Sequence, residues 1–170
     1  MKKGILLAGI ISILAITAVE AQKSRSFNSS SYTTAIGVKV YPGTSAGAVT
    51  LKHFLNDRIA LEALGAAWRR GGRLTGLLEF HWDIPNAPGL KWYVGPGVHV
   101  GFYNDKYYTD DRFGGSYAAV GVDGVIGLDY KFAKIPLNLS IDWQPSIDFG
   151  NERYKGFIGD FAGVAARYTF

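Results

Sequence analysis

Glu79-Phe80-His81 sets a carboxylate and an imidazole two residues apart, and His99 follows on a later segment. Two histidines with one carboxylate are the donor set of a mononuclear metal site, provided the fold brings them to one point. Ser140 precedes Asp142 by the same two-residue step. A serine nucleophile needs a base within hydrogen-bond reach, yet His53, His81 and His99 are followed two places on by Leu55, Asp83 and Gly101, so no His-x-Ser pair exists. The chain has no cysteine, which excludes disulfides, thiolate chemistry and Cys-type zinc sites. Asp110-Asp111 lacks the ligand spacing of a calcium loop. Lys39, Lys52, Asp123, Asp129, Asp142 and Arg167 could serve acid–base chemistry or simply neutralise one another. The elements that carry them decide which.

Turn-forming residues cut the chain into eight strand-like segments: 32–41, 46–54, 59–69, 73–82, 90–102, 118–131, 137–145 and 157–170. Pro42-Gly43, Asn56-Asp57, Gly71-Gly72, the Pro-containing 83–89 connection, a polar stretch at 103–117, residues 133–136 and a Gly-bearing loop separate them. Residues 59–70 are rich in Ala and Leu and could read as a helix, but the hairpin signals on both sides favour a strand. Most segments alternate with a period of two. Val120, Val122, Ile126 and Leu128 oppose Gly121, Asp123, Gly127 and Asp129; Val98, Val100 and Phe102 oppose Gly97, His99 and Gly101. Leu74, Leu78, Phe80 and Trp82 oppose Thr75, Glu79 and His81, and Leu137, Leu139, Ile141 and Trp143 oppose Asn138, Ser140, Asp142 and Gln144. In the third segment Glu62 and Trp68 share a face, which leaves its orientation open.

The alternation tests the metal-site idea. A hairpin centred near Pro85–Ala87 sets His81 opposite Tyr93 and Glu79 opposite about Gly95, with His99 near Thr75. His99 is then about six residues along the strand from His81, and at ~3.3 Å per residue the two cannot share an ion. Neither a metal nor any other cofactor is expected.

The ends of the chain bear on location. Lys2 and Lys3 precede an apolar run from Gly4 to Val19, and Val19-Glu20-Ala21 offers a small-residue cleavage site, so residues 1–21 read as a signal peptide. The run is shorter than the ~20 residues a spanning helix needs. Of the 18 basic and 14 acidic residues, Lys2, Lys3 and Glu20 lie in this segment, which leaves a mild basic excess and no basic block that suits nucleic acid. Residues 22–31 are polar and Ser-rich, a flexible leader. No later apolar run is long enough for a spanning helix, so membrane insertion would require a closed barrel, which satisfies every backbone polar group. Eight strands of ~10 residues fit residues 32–170 as one domain.

Periodicity does not say which face is outside. A secreted ligand-binding barrel of the lipocalin kind would hold its apolar face inward. Glycines mixed with charges on the polar face suit a narrow interior packed with side chains. Aromatics gather at strand ends, Trp82, Trp92, Tyr130 and Phe132 toward one rim and Tyr41, Phe102 and Trp143 toward the other, as in interfacial girdles. The last strand runs to Phe170. These features favour the apolar face outward, in lipid.

With its amphipathic last strand ending Tyr168-Thr169-Phe170, the chain from Tyr32 onward resembles the small eight-stranded outer-membrane β-barrels of Gram-negative bacteria, of the OmpX and OmpA transmembrane-domain type. The resemblance implies an all-β, up-and-down antiparallel transmembrane barrel in the bacterial outer membrane, with both termini and the short turns in the periplasm. It implies external loops at 103–117 and 149–156, and internal turns at 55–58 and 133–136. Tyr168 and Phe170 look like the C-terminal signal read by the barrel assembly machinery. The 83–89 connection is long for a periplasmic turn and the first two external loops are very short. No peptidoglycan-binding domain is visible.

The expected function is accordingly a non-enzymatic structural or surface-interaction role, with outer-membrane lipids and lipopolysaccharide as surroundings. Lys39, Lys52, Glu79, His81, His99, Asp123, Asp129, Asp142 and Arg167 would form a mutually neutralising lumen network, because buried charges must be paired. Tyr103, Asp105, Tyr107, Tyr108, Asp110 and Asp111 are the candidates for contact with a surface protein, a glycan or a cation bridging lipopolysaccharide phosphates. Barrels of this size also include two lipid-A-modifying enzyme classes, one that removes an acyl chain with a serine and a histidine and one that transfers a palmitoyl chain. Such an enzyme is the alternative, and the secreted lipocalin-like barrel is a third. An interior filled by side chains argues against an open pore.

Overall fold

The computed structural model describes residues 32–69, 71–104, 116–149 and 156–170; residues 1–31, with the signal-peptide and leader expectations, lie outside them. The strands are β1 (Thr34–Tyr41), β2 (Ala46–Phe54), β3 (Ile59–Trp68), β4 (Gly71–Asp83), β5 (Leu90–Asn104), β6 (Ser116–Lys131), β7 (Leu137–Trp143), β8 (Ser146–Asp148), β9 (Gly156–Ile158) and β10 (Ala162–Thr169). They form one antiparallel sheet in the order β5-β4-β3-β2-β1-β10-β7-β6-β8-β9, and β5 also pairs with β6. That last pairing closes the sheet on itself. β7 with β8, and β9 with β10, are each one stave broken near its middle, so the ten pieces make an eight-stranded up-and-down barrel. Among the described residues no helix is long and apolar enough to cross a membrane.

Local chemistry explains the breaks and corners. Pro145 has no N–H to give to the ladder, and the seventh stave is interrupted there. Pairing survives around the break because Gly124 N–H donates to Pro145 O at 2.8 Å and Gln144 N–H donates to Phe161 O at 2.8 Å. Asn56 Oδ1 accepts from the backbone N–H groups of Arg58 and Ile59, both at 2.9 Å, and so fixes the β2–β3 turn. The long β4–β5 connection is compact: Ala87 N–H donates to Ile84 O, Leu90 N–H to Ala87 O, and Ile84 N–H to Leu90 O. Positive φ at Asn86 (62°) and Gly89 (84°) allows that double turn.

Burial is inverted relative to a water-soluble fold. The outward rows of the long strands are largely apolar and exposed, as at Val38, Leu74, Val98, Val120 and Ile141, with His53 of β2 a polar exception, while the inward row holds the charged groups and most of the buried polar ones. β3 is settled by the same measure. Ala60, Glu62 and Leu64 point inward with the half-buried Trp68, and Leu61 points out.

Several boundaries move. β4 begins at Gly71, β5 continues to Asn104 and β6 begins at Ser116, so the long connection between β5 and β6 is shorter than the polar composition suggests. One rim assignment is corrected. Tyr41 is not part of an outer aromatic girdle: its ring is 2 % exposed inside the barrel, stacked edge-on against Phe161 at 5.2 Å. Its place in the inward row, in step with Lys39, puts it there. Trp82, Trp92, Tyr130, Phe102 and Trp143 do face outward.

Candidate functional site

The chemically equipped region is the barrel interior. Each charged group enters it from an inward position of a strand, between outward-facing neighbours that are nearly all apolar. All nine residues expected to form the lumen network are 6 % exposed or less. The structure divides them between two clusters stacked along the barrel.

The cluster nearer the chain termini is centred on Lys52 of β2. Its ammonium lies 2.8 Å from Glu79 Oε2 and 3.5 Å from both Glu62 and Asp129. Arg167 of β10 pairs with Glu62 Oε1 and donates to Thr50 Oγ1, Asn138 Oδ1 and Ser140 Oγ at 2.8–3.1 Å. Asn138 donates to Asp129 at 2.7 Å, and the Tyr32 hydroxyl reaches the same carboxylate at 3.1 Å. His81 Nε2 sits 2.9 Å from Glu79 Oε2, with its ring stacked on Tyr93 at 4.8 Å. Lys39 pairs with Asp142 at 2.7 Å, and the Tyr93 hydroxyl donates to that same oxygen at 2.6 Å. Gly127 makes room for the last contact, since a Cβ there would come within 2.8 Å of Tyr93 Cζ and 2.6 Å of Asp142 Cβ.

The second cluster lies toward the opposite rim. Arg73 of β4 pairs with Asp123 of β6 and donates to Thr75 and to Ser146. His99 of β5 lies between two carboxylates, 2.8 Å from Asp123 and 2.9 Å from Asp148. The Tyr103 hydroxyl donates to Asp148 at 3.2 Å. Aromatic rings close this cluster from above: Phe161 stands over Arg73 at 4.7 Å, and Trp68 contacts both Phe161 and Tyr103.

Four partners were not evident in the sequence. Glu62 lay on the strand of undecided orientation, and Arg73 stood at a proposed strand start, directly after the Gly71-Gly72 turn. Asp148 lies beyond Pro145, where the expected strand ends, and Tyr103 falls in the expected polar stretch 103–117. Only the two-residue phase from Asp142 through Gln144 and Ser146 to Asp148 could have signalled one of them.

The metal donor set does not assemble. His81 pairs in register with Tyr93 and His99 with Thr75, so the two histidines belong to different clusters. Among the described residues no group of three or more potential ligands is placed to hold a metal ion. Among the described residues the buried serines accept from arginines, Ser140 from Arg167 and Ser146 from Arg73.

Two further groups of residues were singled out. Tyr168 faces outward with its ring 5.8 Å from that of Phe170. Of the external candidates, Tyr103 belongs to β5 and is tied inward to Asp148, whereas Asp105, Tyr107, Tyr108, Asp110 and Asp111 lie outside the described residues.

A closed eight-stranded barrel, apolar outside and charged within, invites comparison with solved structures. It is similar to the N-terminal β-barrel domain of Pseudomonas aeruginosa OprF. The two superpose with a TM-score of 0.55 over 81 % of this chain and 94 % of that one, at 17 % sequence identity. That likeness bears on the fold, a closed eight-stranded antiparallel β-barrel. No family model matches the chain, and no curated protein sequence does.

Proposed function

We propose that this chain is an integral outer-membrane β-barrel whose lumen is plugged by its own side chains, with a structural or surface-interaction role and no catalytic step. The observation that carries the reading is the inversion of burial: apolar side chains on the outside of a closed wall, and ion pairs filling the inside. An outward apolar band needs lipid around it. A lumen in which Lys39, Lys52, Arg73 and Arg167 each meet a carboxylate has its charges engaged with one another, which favours a plug over a water-filled channel. The serines stand against arginines rather than a histidine base, which supports a non-enzymatic role over lipid-A acyl chemistry. Contact with a surface protein, a glycan or lipopolysaccharide would fall to Tyr107, Tyr108, Asp105, Asp110 and Asp111. Tyr103 would act as their anchor.

The test is in cells and in bilayers. The protein should fractionate with outer membranes and resist urea extraction, and the refolded barrel should show no steady large conductance in planar bilayers. Lipid A from cells with and without the chain should have the same mass spectrum. A gain or loss of one acyl mass would make the protein a lipid-A enzyme, and release into the soluble fraction would make it a secreted barrel.

A further inference from the structure

The outer wall is not evenly clad. Over β2 to β5 the register lines up Leu51, Ala63, Gly76 and Val98 in one row, and Val49, Gly65, Leu74 and Val100 in the next. All belong to outward rows, so the small residues of β3 and β4 form a floor between taller aliphatic walls. A Cβ on Gly76 would meet nothing within 4 Å, and one on Gly65 would meet only Leu74 Cδ2, at 3.7 Å. The result is a furrow made of two open hollows, about 550 and 740 Å³, that share Leu51, Ala63, Gly76 and Val98.

The furrow is polar at one end. His53 lines it on β2, one residue from the strand's end, in an outward row that is otherwise apolar. Its Nδ1 lies 2.8 Å from Oγ1 of Thr34, its register partner on β1. That bond pins the ring and leaves Nε2 with no protein partner among the described residues. When the Thr34 hydroxyl donates to Nδ1, Nε2 carries the ring's N–H, which an ester or phosphate oxygen would accept. In the turn that follows β2, Arg58 is exposed, and its guanidinium meets no carboxylate among the described residues. Trp82 and Trp92 face outward at the same end of the wall, where indoles mark the headgroup level.

We propose that this furrow binds one glycerophospholipid of the leaflet on the side of the chain termini, its acyl chain over Ala63, Gly65 and Gly76 and its phosphate and ester oxygens at His53 and Arg58. The inference rests on the reading of the chain as a membrane barrel and adds a defined site to it. Shape alone would also admit a ridge from a second copy. The outward rows that such a copy brings are largely apolar, and they would bury Nε2 with nothing to accept from it, which costs free energy. A phospholipid answers both parts of the site, the apolar floor and the cationic rim. The facing rows of β6 and β7, Leu128 with Ile141 and Ile126 with Trp143, have no such floor and serve as the reference wall.

The experiment refolds the barrel into vesicles of phosphatidylethanolamine and phosphatidylglycerol that contain a phospholipid with a diazirine in mid-acyl chain. Photolysis and peptide mass spectrometry then locate the adducts. Labelling of the β2–β5 wall should exceed that of the β6–β7 wall by about tenfold, the ratio for a modest site preference. G76L fills the floor and should abolish the excess, H53L should reduce it several-fold, and V164L on β10 should leave it intact. A diacylglycerol with the same diazirine chain lacks the phosphate and should label both walls alike. Even labelling round the barrel, an excess that survives G76L or H53L, or an equal excess with diacylglycerol would each overturn the site. Cross-linked dimers that shield 74–78 would give the furrow to a second copy instead. If G76L fails to insert, H53L and the diacylglycerol decide the matter. A wild-type chain that stays out of the vesicles would remove the membrane-barrel reading itself, whereas insertion with even labelling removes the lipid site alone.

Discussion

Arg167 shows how tightly single residues are held in this interior. One guanidinium ties β10 to β2, β3 and β7 through Thr50, Glu62, Asn138 and Ser140. Five N–H donors in a fixed fork make that possible, and a lysine could not reproduce it. Removing one member of a buried pair costs up to about 3–5 kcal/mol when the other charge is left uncompensated; Glu62 would keep Lys52 at 3.5 Å but lose its closer partner. R167M should therefore lower the free energy of urea unfolding of the detergent-refolded barrel by that amount, with a correspondingly lower midpoint. The double variant R167M/E62L should recover most of the loss, because replacing a buried pair with apolar groups of similar volume is often neutral. If R167M alone unfolds at the wild-type midpoint, the ion pair is not what anchors β10. At this scale the sequence was only partly legible. Lys39, Lys52, Glu79, His81, His99, Asp123, Asp129, Asp142 and Arg167 stood in clear alternating rows. Which of them meet depends on how far each stave slides past the next, and alternation carries no information on that between distant strands.

At the scale of elements, hairpin register was legible wherever a turn was sharply marked. The β4–β5 turn predicted His81 opposite Tyr93 and His99 near Thr75, and both pairs are found. β3 defied orientation because Ala60, Ala63, Ala66 and Ala67 suit either face, and only the closed wall decides. The break in the seventh stave was hidden because Gln144-Pro145 resembles a strand end, while Ser146–Asp148 resumes the same face beyond it. Outward positions should differ sharply in what they tolerate. Val98, 63 % exposed on the outer face of β5, should lose ~2–4 kcal/mol on change to Arg in a lipid bilayer. Gly76, its register partner on β4, has open space where a Cβ would stand, so G76L should leave folding in bilayers unimpaired. Thermal unfolding in liposomes reads both. Equal tolerance at the two sites would mean that this face does not meet hydrocarbon.

For the whole molecule, assembly and stability separate. Tyr168 faces outward and adds nothing to the lumen network, and Phe170 touches it only through ring contact. F170A should therefore refold in detergent as well as the wild type, yet reach the outer membrane in much lower yield, measured by quantitative blotting of fractionated cells. Equal yields would remove these two rings from any role as an assembly signal. The barrel class was legible from the start, because alternation, turn spacing and the absence of a second helix-length apolar run all pointed to one closed wall.

Trp82 and Trp92 face each other across the β4–β5 hairpin, ring centroids 4.4 Å apart and planes 17° from parallel. Two indoles so close share their electronic excitation and split the far-ultraviolet circular dichroism band into a couplet of opposite signs. The signal exists only while the hairpin is zipped in register. The chain thus carries an intrinsic optical clock for one specific strand pairing, and a stopped-flow trace of the couplet would time that step apart from overall β-sheet formation without any added label.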